Sequence, residues 1–160
     1  MGNVGYSVNT QGAVALSAAT AKTCLFVTAG AQFGIVLKKF TIGFDGVTAS
    51  AVPVFWEVNY STAATNSTPG TGNTSQTANI NQIYGRSIAT TGLLAGSACT
   101  SEPTVQTNIR ANLLTPNGGL LVYDIPLGDY PDSAAAQGFA VRLTAPAAVN
   151  VRVDLVFERC

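Results

Sequence analysis

Residues 149–158 (VNVRVDLVFE) set Val149, Val151, Val153, Leu155 and Phe157 at alternate positions, with Asn150, Arg152, Asp154, Val156 and Glu158 between them. A period of two sends successive side chains to opposite faces of a strand, whereas an apolar helix stripe repeats every 3.6 residues. The first set is therefore expected to face a core and the second to face out. Helical spacing is hard to find elsewhere, except for a short alanine-rich stretch at 133–137. The chain reads as all-β.

Other strands follow from β-branched and aromatic runs bounded by turn residues. Weak candidates lie at 6–10 and 13–17, and stronger ones at 22–29, 34–45 and 52–60. In 34–45 the parity of Phe40, Ile42 and Phe44 predicts a core face, and Gly43 is a candidate bulge. Asp45-Gly46 reads as a turn, and Pro53 suits an edge or a strand start. In 52–60, Val54, Trp56 and Val58 share one face and Phe55, Glu57 and Asn59 the other. Further strands are expected at 105–114, with Val105, Thr107, Ile109, Ala111 and Leu113 on one face, and at 120–125 and 138–144.

Between them, residues 61–82 are mostly Ser, Thr, Asn, Gly and Ala with no charge, which predicts a long surface excursion re-anchored by Ile80, Ile83 and Tyr84. A second loop is expected at 90–103. About eight main strands with long connections predict an antiparallel β-sandwich of the jelly-roll kind. An immunoglobulin-like sandwich ranks second because no pair of cysteines brackets Trp56 in the usual way. Residues 1–12 are read as an N-terminal arm or weak strand, and 13–160 as a single β-sandwich domain carrying the loop 61–82.

Composition removes whole classes of function. The 160 residues include no His, which takes away the usual general base near neutral pH and the commonest transition-metal ligand. Eight basic residues balance eight acidic ones and only 10% of residues are charged, so no basic field favours nucleic acid. No run approaches the length of a membrane-crossing helix, since Lys38 and Lys39 interrupt the longest candidate. The opening residues lack a secretory signal, so the expectation is a soluble chain that is either mature or never exported.

Candidate chemistry is sparse, and no catalytic, cofactor-binding or metal residue is assigned. A Ser–Lys nucleophile would have to draw on Lys22, Lys38 or Lys39, all in predicted strands. Asp124, Asp129 and Asp132 are the one dense carboxylate group, read as turn chemistry ahead of a Ca²⁺ site. Asn59, Asn66 and Asn73 open glycosylation sequons of the kind that Ser/Thr-rich sequence produces by chance. Trp56, Tyr60, Tyr84, Tyr123 and Tyr130 read first as packing residues and second as sugar-stacking ones. Cys24, Cys99 and Cys160 fit no disulfide framework and read as buried or incidental thiols, with an intermolecular bridge through Cys160 as a lesser option.

Four stretches carry a resemblance: Lys22-Thr23-Cys24-Leu25 onward to Gly43-Phe44-Asp45-Gly46-Val47-Thr48-Ala49; Thr100-Ser101-Glu102-Pro103-Thr104; Pro116-Asn117-Gly118-Gly119-Leu120 to Pro126-Leu127-Gly128; and Thr144-Ala145-Pro146-Ala147-Ala148-Val149 to Phe157-Glu158. In these the chain resembles small virion structural proteins of tailed bacteriophages, of the head-decoration or minor structural kind. The excursion 61–82, the N-terminal segment and Cys160 depart from that pattern. The resemblance implies a sandwich or jelly-roll subunit with no enzymatic duty, assembled in the host cytoplasm and seated on the major capsid protein lattice of the virion. It also implies a symmetric homo-oligomer, by analogy a trimer, with no cofactor, nucleic acid or membrane. The weakly charged composition agrees, because interface cores are depleted in charge. The expected contacts are residues 1–12 reaching a neighbour and 61–82 as an outer or inter-subunit loop. Rival readings are a tail-associated or filament-forming subunit and a carbohydrate-binding adhesion module.

Overall fold

A computed structural model of the chain describes residues 4–45, 52–62, 66–85 and 92–160. Among them are β1 (Val4–Asn9), β2 (Val14–Leu16), β3 (Ala21–Thr28), β4 (Ile35–Asp45), β5 (Val54–Thr62), β6 (Thr74–Ser75), β7 (Asn81–Tyr84), β8 (Leu94–Ser97), β9 (Gln106–Leu114), β10 (Leu120–Asp124), β11 (Gln137–Thr144) and β12 (Val149–Arg159). The one helical element among the described residues is a 3₁₀ turn at Thr77–Asn79. Among the described residues no helix is long and apolar enough to cross a membrane.

Strand pairing follows a single scheme. β1 pairs with β12, β3 with β11, β4 with β10 and β5 with β9, all antiparallel. First meets last and each successive strand meets the next one inward, which is a long hairpin rolled upon itself into a jelly roll. Pairing of β12 with β4 and of β11 with β5 completes two sheets. Their orders are β10-β4-β12-β1-β7, with β2 also on β12, and β6-β8-β3-β11-β5-β9.

The alternation read from the last strand is what the core uses. Val151, Val153, Leu155 and Phe157 are buried, in register with Phe44, Ile42, Phe40 and Leu37 of β4. From the second sheet Leu25, Val27, Val58, Phe139 and Val141 meet them in the same apolar cluster. Each such side chain contributes about 1.5–3 kcal/mol on leaving water. Where a strand's apolar parity would fail, a bulge corrects it. The register of β4 against β12 shifts between Val156 and Phe157, opposite Lys38, so Leu37 and Phe40 both point inward although three residues apart. The bulge thus sits at Lys38 and not at Gly43, which pairs regularly with Arg152 and Leu120.

Several expectations are corrected. Of the two readings of the N-terminal segment, the strand is the one seen at residues 4–9: β1 lies inside the first sheet between β12 and β7, with Tyr6 fully buried. The excursion 61–82 and the loop 90–103 contain β6, the 3₁₀ turn, part of β7 and all of β8. Polar side chains hold this region where large apolar ones are lacking. Gln76 is buried and its Nε2 donates to Ser97 Oγ at 2.8 Å, while its backbone N donates to Ala95 O at 2.8 Å. Asn73 Nδ2 donates to Thr71 O at 2.8 Å and Thr68 O at 3.1 Å, closing a small turn. Of the predicted anchors, Ile80 is buried, whereas Ile83 is exposed and Tyr84 half-covers Gly5 from outside. The alanine-rich stretch is a turn with Ala136 at φ 60°, leading directly into β11. The expected turn after Asp45 lies outside the described residues.

Gly138 faces Thr28 across the β11–β3 pair so closely that a methyl there would overlap the carbonyl oxygen of Val27. Gly138→Ala is expected to cost about 2–3 kcal/mol in urea unfolding. Gly12→Ala, which meets no atom within 4 Å, should be nearly neutral. Equal effects at both positions would contradict this packing.

Candidate functional site

The two long edges of the sandwich are treated differently. On one side the segment after β5 seals the gap: β7 extends the first sheet beyond β1, β8 and β6 extend the second beyond β3, and Ile80 is buried between them. On the other side β10 ends the first sheet and β9 the second, and no further strand among the described residues covers them. A slot of about 340 Å³ opens there, lined by Trp56, Arg110, Ala111, Asn112, Leu121 and Tyr123.

A bulge builds this slot. The β5–β9 register shifts between Val58 and Asn59, so Arg110 lies opposite buried Val58 and points inward, next to Ile109, which packs on the core. Ala111 and Leu113 are thereby turned outward, against the expectation that they share a face with Ile109. The Arg110 guanidinium crosses the gap between the sheets. Its Nη1 donates to Tyr123 Oη at 3.0 Å and its Cζ lies 5.2 Å from the Tyr123 ring centroid. Tyr123 stacks on Phe40 at 5.2 Å and Phe40 meets Trp56 at 5.4 Å, so the slot's floor is continuous with the core. Four ion pairs form among the described residues, and Arg110 is in none of them.

On the outer faces of the strands beside the slot stand exposed apolar side chains. Leu113 and Phe55, paired across β9 and β5, are 59% and 39% exposed; Leu120 and Val122 on β10 are 65% and 49% exposed. Edge strands are normally blunted by lysine, proline or a cover, and β10 (LLVYD) contains neither residue.

A second cleft, of about 410 Å³, lies on the outer face of the first sheet among Asn9, Gln11, Thr41, Gly43, Arg152 and Asp154, walled by Leu120. Asn9 Oδ1 accepts from Gln11 N at 2.8 Å and from its Nε2 at 2.9 Å, which holds Gln11 at φ 58°. Arg152 Nε donates to Asp45 at 2.9 Å. Burial raises the Asp154 carboxyl above its ordinary pKa, and Lys39 pulls it partly back. A carboxyl that holds its proton more tightly when folded favours folding at low pH, and that contribution is lost as pH rises through its raised folded value. Asp154→Asn should therefore gain stability relative to the native chain on going from pH 3 to pH 7 in urea titrations. An unchanged difference would contradict it.

The remaining residues singled out in the sequence do not gather into a site. Tyr60 packs on Phe139 at 5.3 Å. Tyr84 Oη donates to Glu158 at 2.6 Å, Lys38 Nζ lies 3.3 Å from the same carboxylate, and Tyr130 stacks over that ammonium at 3.4 Å. Burial, then the bond to Glu158, pushes the Tyr84 hydroxyl up. Lys22 donates to Ala15 O and Lys39 pairs with Asp124 at 3.3 Å, so no lysine is joined to a serine. Asp124, Asp129 and Asp132 do not converge, and no group of three metal-ligating side chains forms among the described residues. Asn59 is fully buried in β5, Asn66 Nδ2 donates to Glu102 O at 3.1 Å, and Asn73 is hydrogen-bonded within its own loop.

Sequence reasoning missed a polar network on the outer face of the second sheet. Arg142 clamps Glu57 through two bonds of 2.8 and 3.2 Å. Asn108 bonds to Glu57 and to Asn59, Asn59 donates to Gln106, and Gln106 donates to Glu102 and Thr23. The period-two polar positions Glu57/Asn59 and Gln106/Asn108 were its signal. Their bonds are mutually satisfied, which suits a covered sheet face rather than a reactive centre.

Of the thiols, Cys24 and Cys99 are buried and Cys160 is exposed. Burial, with Glu102 adding to it, pushes Cys99 up to about 12 and raises Cys24 further; Cys160 is raised less. A thiol reagent at pH 8 is expected to modify one cysteine per folded chain and all three after unfolding. Rapid labelling of two or more in the folded chain would refute this burial. No family model matches the chain, and no curated protein matches it either.

Proposed function

We propose that the chain is a non-enzymatic virion structural protein, a capsid decoration subunit that associates with copies of itself and bridges subunits of an assembled head. The observation that carries this reading is the open edge: a slot between β9 and β10, an edge strand β10 with neither lysine nor proline, and Leu113, Leu120 and Val122 about half exposed or more on the adjoining outer faces. Leu120 and Val122 share one face of β10, and exposed apolar surface of this kind is characteristic of contact surfaces. The low charge content supports the same reading, since interface cores are depleted in charged side chains. The jelly-roll strand order agrees with what the resemblance implies. A subunit that binds only the assembled shell raises the free energy of shell rupture by mass action, without any chemical step.

The test is sedimentation of the chain alone and with purified heads. The native chain is expected to self-associate and to co-sediment with heads. Val122→Lys should weaken self-association at least tenfold while leaving the urea midpoint within about 0.5 kcal/mol, as for other surface changes. Cryo-electron microscopy of the decorated heads should place the copies in symmetric clusters. Open helical stacks would favour the filament reading, and monomers retained on glycan the adhesion reading.

A further inference from the structure

We infer that the slot between β9 and β10 is a socket for a second copy of this chain, and that the plug is the tip at Leu127 and Asp129. This rests on the self-association just proposed and specifies which residues meet.

The socket contains Trp56, Tyr123 and Arg110, the three residue types that most often dominate binding energy when set in a desolvated pocket. Leu121, packed on the core, lies beside them in the lining. Arg110 spends its contacts on one tyrosine and has no acidic partner among the described residues, so a seated ligand needs both an apolar group and a carboxylate. A guanidinium beside an aromatic wall gives such a carboxylate charge-assisted hydrogen bonds in a water-poor place.

The chain itself displays that combination. After β10 the backbone makes a tight turn in which Asp129 N donates to Pro126 O at 3.0 Å and Gly128 takes φ +97°. The turn lifts Leu127 to 89% exposure, above every other large apolar side chain described. Asp129, two residues on, is exposed and forms no ion pair among the described residues. An apolar knob next to a single unpaired carboxylate complements an apolar slot around a single unpaired guanidinium. Because plug and socket are different surfaces, each copy offers both, and a head-to-tail contact of this type closes into a ring when its rotation allows.

The experiment is sedimentation equilibrium on the full chain and on Leu127→Ser, Asp129→Arg, Arg110→Glu and the Arg110→Glu/Asp129→Arg double variant, each checked for cooperative unfolding. Leu127 and Asp129 stand on an exposed tip, so their replacement leaves the fold intact even if Arg110→Glu does not. The expected result is association at least tenfold weaker in each single variant, with substantial recovery in the charge-swapped double variant. Native association that Leu127→Ser and Asp129→Arg leave unchanged would overturn the plug and socket while sparing self-association. A native chain that stays monomeric at hundreds of micromolar would overturn the self-association reading and this inference together.

Discussion

The structure depends on the two C-terminal strands, each holding the centre of one sheet. β12 pairs with β1, β2 and β4, and β11 pairs with β3 and β5, so nearly every other long strand is aligned by contact with one of them. Their inward rows, Val151 to Phe157 and Phe139 to Leu143, supply the surface on which both halves of the core are laid. Register here is strongly specified, because a slip of one residue would move the whole apolar row into water. Bulges at Lys38 and Ile109 are among the places where the chain adjusts parity to keep that rule.

Centring the sheets on β11 and β12 leaves two gaps between them at the edges, and the chain treats these unequally. The segment from 66 to 85, together with β8, fills one gap with Ile80 and buried Gln76. The other gap, between β9 and β10, is spanned by the Arg110 guanidinium on the Tyr123 ring. A polar strap over an aromatic floor keeps the sandwich wettable at that edge while leaving apolar side chains for a neighbour. That inequality links the fold to the proposed role in assembly. A fully sealed sandwich would offer no such surface.

Much of this was legible in the sequence because long alternating runs report burial directly. The run from Val149 to Phe157 and the parity of Phe40 and Ile42 state their own faces, and the eight long strands follow from such runs. What escaped was held by groups that hydropathy does not register. β6 and β8 are made of Thr, Ser, Leu, Ala and Gly, and are kept in place by Gln76, Thr77 and by the closeness of Gly96 to the Phe26 ring. The slot escaped for a different reason. Arg110 and Asn112 occupy positions that simple alternation assigns to solvent, and only the bulge in β9 turns them inward. A bulge is a property of the paired strands, so one strand's sequence does not disclose it.

The central claim is that the open edge between β9 and β10 is the surface by which the chain assembles. Hydrogen exchange of backbone amides, followed from dilute to concentrated chain, reads this without any substitution. If the chain assembles through this edge, amides of β9, β10 and residues 127–129 slow markedly with concentration, while those of β7 on the sealed edge do not. Concentration-independent exchange along β9 and β10, or protection appearing at β7 instead, would contradict it.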